Sequence, residues 1–370
     1  MPYVNSKTIL EYAKNHKFAH GAFNINALCQ AKAIIEACEE LRCAAIIQVA
    51  EPGLAYIGGN PDFLNGTFEE KKIGAKRIAK YVKKLAQNSP IPVSLHLDHG
   101  RSYESCKLCL DAGFNSVMFD GSALDYNDNV KVSKKVAALA HKKNASCEAE
   151  LGVLAGVEDH VFAANSTYTN PLTAVDFIKK TGVDLLAISY GTKHGAVKGD
   201  NVVLRKEIVV ATMENLAHEG LNAIIVSHGS SLVPHYIVNE INSLGGNVKG
   251  AGVPISQLQE VIPAGIAKIN MDTDIRLATT RNLLEFYKAH PEMTENSKVY
   301  SLLKEKPESF EYRNYLRNYI NELETNTGFN DELKAIVPLM EKAVKEIVTS
   351  ASVLFGCVGD APYILNQYKD

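Results

Sequence analysis

The run His96-Leu97-Asp98-His99-Gly100 holds the residue types best suited to chemistry in this chain of 370 residues. It follows an apolar segment, residues 91–95, with the composition of a buried strand. Two imidazoles beside a carboxylate can bind a metal ion and move a proton within reach of one substrate. A buried histidine is more often a hydrogen-bonded core residue than a ligand, so the motif alone leaves both interpretations open.

Two later histidines strengthen the metal interpretation. His194 precedes Gly195 and His228 precedes Gly229, and each pair follows an apolar run like the one before His96. Three neutral imidazoles with one open position are typical of a catalytic zinc site. Asp98 and Glu150 fall at equivalent places after their own strands, where a carboxylate can hydrogen-bond a ligand imidazole.

The two His-Gly steps also predict a site for phosphate. A glycine directly after a ligand lets the backbone approach an oxyanion and turn its N–H groups toward it. Gly195 with Lys198, and Gly229 with Ser230 and Ser231, therefore predict a phosphate cradle. Plain turns at these glycines are the alternative.

A second phosphate contact is predicted near residue 276. Arg276 follows Asp272 by four residues in Asn270-Met-Asp-Thr-Asp-Ile-Arg276. An arginine fork binds phosphate through two parallel N–H groups, which suits the far end of a doubly phosphorylated substrate. An exposed helix arginine is the other interpretation.

The elements that must position these residues follow a regular alternation. The predicted strands are residues 19–23, 44–49, 93–97, 116–119, 145–149, 185–189, 223–227 and 266–269. The predicted helices between them are residues 27–41, 68–85, 103–112, 130–143, 171–181 and 206–219. Eight such units predict an α/β fold, a (β/α)8 TIM barrel with its site at the carboxyl ends of the strands. An open doubly wound sheet is the alternative, but no G-x-G-x-x-G follows the first strand.

Two irregular segments and a helical extension complete the organisation. Residues 152–170 show little strand or helix pattern and are long enough for a mobile lid. Residues 244–254 are glycine-rich and predict a turn-dense insertion. We expect a catalytic barrel over 1–280, with 281–370 a helical extension packed on it rather than an independent domain.

Composition excludes several classes of protein. A formal charge of -3 gives no electrostatic reason to expect nucleic acid or a membrane surface as partner. The first residues carry no apolar signal core, and no apolar run is long enough to span a bilayer. Seven cysteines in a chain of this size predict free thiols rather than a disulfide framework. We therefore expect a cytoplasmic protein.

With these residues assembled, the chain resembles the class II, metal-dependent fructose-bisphosphate aldolases over about residues 1–280. The resemblance rests on five motifs: H-x-D-H-G at 96–100, E-x-E-L-G at 148–152, G-T-x-H-G at 191–195, H-G-x-S at 228–231 and N-x-D-T-D at 270–274. The H-x-D-H-G form, the glycine-rich insertion and the end of the chain around 354–360 look like the class IIB branch.

The resemblance implies roles for the strand-end residues. His99, His194 and His228 would hold one Zn²⁺ per chain, with Glu150 as an alternative ligand. Asp98 would exchange the proton of the C4 hydroxyl group. Glu158, in the loop after the fifth strand, would exchange the proton on the carbon of dihydroxyacetone phosphate. A monovalent cation, Na⁺ or K⁺, often accompanies the family's phosphate site.

The same resemblance implies the contacts to a sugar bisphosphate. The substrate-binding residues would be Asn24, Gly195, Lys198, Gly229, Ser230, Ser231, Asn270, Asp272, Thr273 and Arg276. Asp272 and Arg276 favour fructose bisphosphate over its tagatose epimer. One position departs from the family: alanine at 50, where a serine is common, would remove a contact worth about 1 kcal/mol.

Three alternatives stay open at this point. The closest is a tagatose-bisphosphate aldolase. A metal-dependent barrel hydrolase is more remote, because those sites usually begin with H-x-H on strand one, where this chain has Asn24-Ile-Asn26. The third is a binding or scaffold protein with an inactive site. The family is at least dimeric, so a homodimer or homotetramer is expected.

Overall fold

The computed structural model describes residues 2–154, 156–158, 161–163, 166–198 and 202–367, with only the backbone of 157–158 and 161–163. Its strands are β1 (His20–Asn24), β2 (Ala45–Ala50), β3 (Val93–Gly100), β4 (Ser116–Phe119), β5 (Ser146–Leu151), β6 (Gly156–Glu158), β7 (Val161–Ala163), β8 (Leu185–Ile188), β9 (Ile224–Ser227) and β10 (Ile266–Met271). Eight of these described strands form a closed parallel barrel in the order β1-β10-β9-β8-β5-β4-β3-β2. The barrel prediction is confirmed, and the open doubly wound alternative is wrong.

Helices surround the barrel and continue beyond it. They are α1 (Ser6–His16), α2 (Leu28–Leu41), α3 (Glu51–Ile57), α4 (Phe68–Asn88), α5 (Tyr103–Ala112), α6 (Tyr126–Lys142), α7 (Pro171–Thr181), α8 (Lys206–His218), α9 (His235–Ser243), α10 (Ile255–Val261), α11 (Thr273–Ala289), α12 (Lys298–Glu305), α13 (Tyr312–Tyr315), α14 (Ile320–Thr325), α15 (Asp331–Phe355) and α16 (Ala361–Gln367). Short 3-10 turns lie at Phe63–Asn65, Pro291–Met293 and Arg317–Tyr319. Within the described ranges, no helix is both long and apolar enough to cross a membrane.

Two predictions about loops have different outcomes. The glycine-rich segment 244–254 is confirmed as a turn region between α9 and α10. Residues 152–170 show little strand pattern in the sequence, but β6 and β7 pair there as two short antiparallel strands. Strands of three residues are too short to show a period-2 pattern in the sequence. The role of this segment as a lid stays a prediction.

The barrel interior is divided between an apolar base and a polar open end. Ile9, Leu10 and Ala13 of α1 pack against inward-facing residues such as Ile46 and Val226. Asn5 caps the start of α1 by accepting the N–H of Thr8. Because this helix seals the amino ends of the strands with apolar contacts, the polar side chains of the strands collect at the carboxyl ends.

The C-terminal helices pack on the barrel and return to its base. Residue 280, the predicted boundary, lies inside α11, and the division into 1–280 and 281–370 stays a prediction. Asp360, just before α16, accepts hydrogen bonds from His20 Nε2 at 2.6 Å and from the Ala44 N–H at 3.1 Å. All seven cysteines lie in described residues and are buried free thiols, as expected.

Replacing Asp360 by Asn should lower the free energy of unfolding by about 3 kcal/mol at low pH, because it leaves His20 buried without a counter-charge. Burial lowers the pKa of His20, but Asp360 outweighs that effect and raises the pKa above 6.5. Because the pKa of His20 is higher in the folded state than in the unfolded state, the His20–Asp360 pair stabilises the fold fully below about pH 6.5. This stabilisation declines as the pH rises through the folded-state pKa of His20.

The measurement is urea unfolding of wild type and variant at about pH 6 and about pH 9. The control is Glu214→Gln, an exposed charge on α8, which should change stability by less than about 0.5 kcal/mol. A difference between wild type and Asp360→Asn that grows with pH would contradict the assignment of a charged pair.

Candidate active site

His99 sits on an irregularity in strand β3. The register between β3 and β4 shifts between Leu97 and Gly100, and His99 itself has φ = 45°. A residue other than glycine costs about 1 kcal/mol or more in this left-handed region, and such residues cluster at functional sites. The bulge re-aims the imidazole into the open end of the barrel, beside the side chain of Asp98.

The structure brings the three predicted ligand histidines together. The ring centroids of His99 and His228 are 4.7 Å apart, and those of His99 and His194 are 5.4 Å apart. The third pair, His194 and His228, lies at 6.5 Å. All three rings are buried, although they come from β3 and from the loops after β8 and β9.

The donor atoms fit a divalent metal ion. In the described part of the chain, one donor atom each from Asp98, His99 and His228 lie within 4.8 Å of one another. The set His99, Asp120 and Glu150 meets the same limit. Imidazole nitrogens and carboxylate oxygens are ligand types that zinc takes in proteins.

Carboxylates orient the imidazoles. Asp120 Oδ2 lies 2.9 Å from His99 Nδ1, and Glu150 Oε2 lies 2.9 Å from His228 Nδ1. His228 Nε2 is 2.8 Å from Glu148 Oε1. Burial lowers the pKa of His228, but the hydrogen bonds to Glu148 and Glu150 outweigh it and raise the pKa to about 9. Metal binding needs the neutral ring, so His228 would exchange a carboxylate contact for the ion.

Beneath these rings lies a buried charge cluster centred on Glu148. Its Oε2 accepts from Lys268 Nζ at 2.9 Å and lies 3.5 Å from His96 Nε2. His96 Nδ1 contacts the Ser116 hydroxyl at 2.7 Å. Burial first, and then the Lys268 ammonium, lower the pKa of His96 well below 6.5. His96 is therefore a neutral, hydrogen-bonded core residue below the site. This agrees with the interpretation of the motif in which a buried histidine belongs to the core.

Three amide side chains fix the Asp98 carboxylate. Asn270 donates to Oδ1 at 2.9 Å, and Asn24 donates to Oδ2 at 2.9 Å. Gln48 Nε2 lies 3.3 Å from the same Oδ2 and donates to Asn24 Oδ1 at 2.6 Å. Asn24 and Asn270, expected from the sequence to contact substrate, thus hydrogen-bond Asp98; their contact with substrate stays a prediction.

The glycines of the predicted cradle adopt conformations that need glycine. Gly195 and Gly229 have φ of 83° and 61°, and a Cβ on Gly229 would lie 2.6 Å from the Lys193 carbonyl. The buried Lys198 ammonium donates to the carbonyls of Lys193 and Gly195, at 2.6 and 2.9 Å. The Ser230 hydroxyl turns inward to Ser227, at 2.6 Å. Ser231 is buried next to it, and Thr273 begins helix α11.

Arg276 is buried at the mouth of the barrel and is not an exposed helix arginine. Its Nε and NH2 groups donate to the two carboxylate oxygens of Asp272, at 2.9 and 2.6 Å. Its NH1 group contacts Glu311 of the C-terminal extension. These three side chains, with Gly195 and Thr273, line a cavity of about 330 Å³.

Glu158 and Ala50 complete the set of predicted positions. The backbone of Glu158 ends strand β6 of the hairpin, and its side chain lies outside the described residues. Ala50 pairs in register with Asp98 and precedes helix α3 without a side-chain cap. The proposed role of Glu158 stays a prediction.

Four functional neighbours escaped the sequence reasoning: Gln48, Asp120, Glu148 and Glu311. Asp120 carried a usable signal, because it directly follows a predicted strand, as the ligand candidates do. Glu148 lies in E-x-E, one period-2 step before Glu150, so both face the barrel interior. Glu311 had no signal, since its contact with Arg276 spans 35 residues.

A closed (β/α)8 barrel with buried imidazoles and carboxylates at its carboxyl edge defines a barrel enzyme with a candidate metal centre. The family model "Fructose-bisphosphate aldolase class-II" matches residues 4–360, and the chain belongs to this family. It is therefore a lyase of a family that uses a divalent metal ion.

Several aldolases resemble this chain in sequence or in fold. A fructose-bisphosphate aldolase of Treponema pallidum is 40% identical over 289 residues, 75% of this chain and 84% of that protein. One of Thermus caldophilus is 35% identical over 361 residues, 97% of this chain and 99% of that protein. The fold matches that of the fructose-bisphosphate aldolase of Campylobacter jejuni, with a TM-score of 0.69, 20% identity and 97% of both chains covered. It also matches the YdjI aldolase of Escherichia coli K12, with a TM-score of 0.65, 23% identity and 97% and 99% coverage.

Replacing Asp120 by Asn should weaken zinc binding by about 10- to 100-fold, because the amide cannot hold His99 through the same acceptor. Asn retains an oxygen for the Ser122 N–H and hydroxyl group, so the local turn is kept. Zinc affinity is measured by competition with a chromophoric chelator. Asp125→Asn, an exposed residue of the same loop, should bind zinc like wild type. Equal affinities for all three proteins would show that Asp120 does not orient a ligand.

Proposed function

We propose that this chain catalyses the reversible aldol cleavage of fructose 1,6-bisphosphate to dihydroxyacetone phosphate and glyceraldehyde 3-phosphate. The observation that carries the proposal is the meeting of His99, His194 and His228 beside Asp98 at the open end of the barrel. The family membership and the fructose-bisphosphate aldolases at 35–40% identity support it.

The metal centre is the first part of the proposal. His99, His194 and His228 would hold one Zn²⁺ per chain, and Glu150 would replace one of them or stay on the imidazole of His228. When bound, the ion would supply a Lewis acid that withdraws electrons from the substrate carbonyl group. Asp120 and Glu150 keep the imidazoles turned toward the site through their hydrogen bonds to His99 and His228.

Proton transfer is assigned to two carboxylates. Asp98 takes the proton of the C4 hydroxyl group as the C3–C4 bond breaks, so that the departing half leaves as an aldehyde. Its three amide neighbours hold it in one orientation. Glu158 returns a proton to the carbanionic C3 of the remaining triose phosphate. Closure of the hairpin segment over the site would exclude water during this step.

Substrate recognition follows from the two ends of the site. The loops holding Gly195 and Gly229 approach each other closely enough to cradle one phosphate with backbone N–H groups, and Thr273 begins a helix nearby. Asp272 and Arg276 would meet the far half of the sugar and favour fructose over tagatose. A monovalent cation, Na⁺ or K⁺, near this phosphate belongs to the same proposal.

Three further assignments are proposals of the same kind. The H-x-D-H-G form supports the class IIB branch, and the family supports a homodimer or homotetramer, which light scattering tests directly. Seven buried free thiols support a reducing, cytoplasmic location.

Cleavage of fructose 1,6-bisphosphate should be abolished by EDTA and restored by zinc, because the proposed reaction needs a metal ligated by three imidazoles. The measurement couples triose-phosphate release to a reporter reaction. Tagatose 1,6-bisphosphate is the matched substrate and should turn over much more slowly. Chelation-resistant cleavage would contradict the metal mechanism, and phosphate release without carbon–carbon cleavage would favour the hydrolase alternative.

Two variants separate metal binding from proton transfer. Asp98→Ala should keep about one zinc per chain but lose a factor of about 10²–10⁴ in kcat, because it removes the proton acceptor. His228→Ala should lose zinc, because it removes a ligand. Atomic emission gives the metal content of each protein. Normal turnover in Asp98→Ala would exclude Asp98 from the mechanism, and a full complement of zinc in His228→Ala would overturn the ligand set.

A further inference from the structure

Glu311 lies where the barrel mouth meets the C-terminal extension. It immediately precedes helix α13 and lines the 330 Å³ cavity beside Arg276. One of its carboxylate oxygens contacts Arg276 NH1. On the other side it forms a two-point pair with Arg313, from Nε to Oε1 and from NH2 to Oε2, each at 2.7 Å. One carboxylate thus joins two arginines at the entrance to the site.

The position of Glu311 is set by Arg313. The Arg313 side chain is fully buried, with its guanidinium 3.9 Å from the ring centroid of Phe63. It also donates to Asn26 Oδ1 at 3.2 Å, and the adjacent Tyr312 hydroxyl accepts from Gln30 at 2.8 Å. The segment around 311–313 is therefore held against the loop after β1 and the start of α2, and Glu311 contacts Arg276 at the mouth.

Arg276 lies between two carboxylates. Asp272 pairs with it through two hydrogen bonds from the same turn of α11, and Glu311 approaches from a different segment. The row Asp272–Arg276–Glu311–Arg313 contains two positive and two negative side chains. Among the described residues, Asp272 takes the Nε and NH2 groups of Arg276, so an incoming phosphate dianion can take the NH1 edge by displacing Glu311 or by sharing that edge with it.

We propose that Glu311 is the specificity-determining residue for the distal end of the substrate. Its carboxylate competes with a distal phosphate for Arg276, and this competition sets how strongly a second phosphate is preferred over an uncharged end. The inference rests on the proposed function, because that function assigns the cavity beside Arg276 to the distal half of the sugar. The side chain of Glu311 is 21% exposed, against 11% for Asp272, so Glu311 is the carboxylate better able to yield its place.

The test compares two probes that carry no carbonyl group and therefore cannot be cleaved: a hexitol 1,6-bisphosphate and the matching hexitol 1-phosphate. Binding to the zinc-loaded protein is measured by calorimetry. In Glu311→Gln the bisphosphate should bind about five- to tenfold tighter, because the competing charge is gone. The monophosphate should bind within about twofold of wild type, because it has no second phosphate to compete with Glu311 for Arg276. In kinetics, KM for fructose 1,6-bisphosphate should fall while kcat is unchanged.

Two variants serve as controls. Glu311→Asp restores the carboxylate and should return the bisphosphate affinity toward that of wild type. Glu305→Gln removes an exposed charge at the end of α12 and should leave both affinities unchanged. If Glu311 only supports the fold through Arg313, then Glu311→Gln should change both probes equally, which would overturn the proposal. Weaker bisphosphate binding alone would also overturn it, since Glu311 would then position the arginines for phosphate.

A measurement on the wild type tests the same inference without any variant. Competition predicts that the second phosphate improves hexitol binding by less than about tenfold, below what a fully engaged arginine–phosphate pair contributes. An improvement above about a hundredfold would exclude competition. Wild type that binds both probes but cleaves no sugar bisphosphate would remove the proposed function, while the comparison of the two affinities would still decide the role of Glu311.

Discussion

One buried carboxylate fixes the geometry of the whole site. Glu148 is fully buried and contacts Lys268, His228 and His96, which belong to or follow three other barrel strands. An isolated charge there would cost several kcal/mol, so the strands must be arranged to supply all three partners. That requirement helps to set which side chains point inward in the next layer of the barrel, where Asp98 and the candidate ligand histidines lie. Removing Glu148 would leave the Lys268 ammonium buried without its counter-charge.

The sequence predicts the scaffold well because local patterns determine it. All eight barrel strands are predicted, since each is a short apolar run followed by polar residues. Their predicted ends lie within two residues of the observed ends, except that β3 continues to Gly100. The same pattern located the histidines and Asp98. The sequence does not predict hydrogen-bond partners in the same way: Asn24 donates to Asp98, 74 residues away, and the family resemblance placed Asn24 only at the substrate. No periodicity encodes such a pair, because it depends on barrel closure.

The C-terminal extension contacts the barrel at both ends. Asp360 binds His20 at the sealed base, whereas Glu311 reaches Arg276 at the open mouth. The sequence predicts that this region is helical, but it does not predict which of its residues contact the barrel. At the base the contact is between fully buried groups and contributes to stability. At the mouth the carboxylate stays partly exposed, so it can exchange partners when a charged ligand arrives.

Negative charge is concentrated around the imidazoles of the site, and this limits which part of an anionic substrate can lie there. Four carboxylates, those of Asp98, Asp120, Glu148 and Glu150, lie around the imidazoles, and Lys268 pairs with Glu148. Such a cluster attracts a divalent cation and resists an anion. In the proposed function a sugar bisphosphate would therefore be held at its ends, by the glycine cradle and at the arginine row, while its uncharged middle would approach the carboxylates. In the proposed reaction the bond that breaks lies in that middle, where Asp98 would accept the proton of the C4 hydroxyl group.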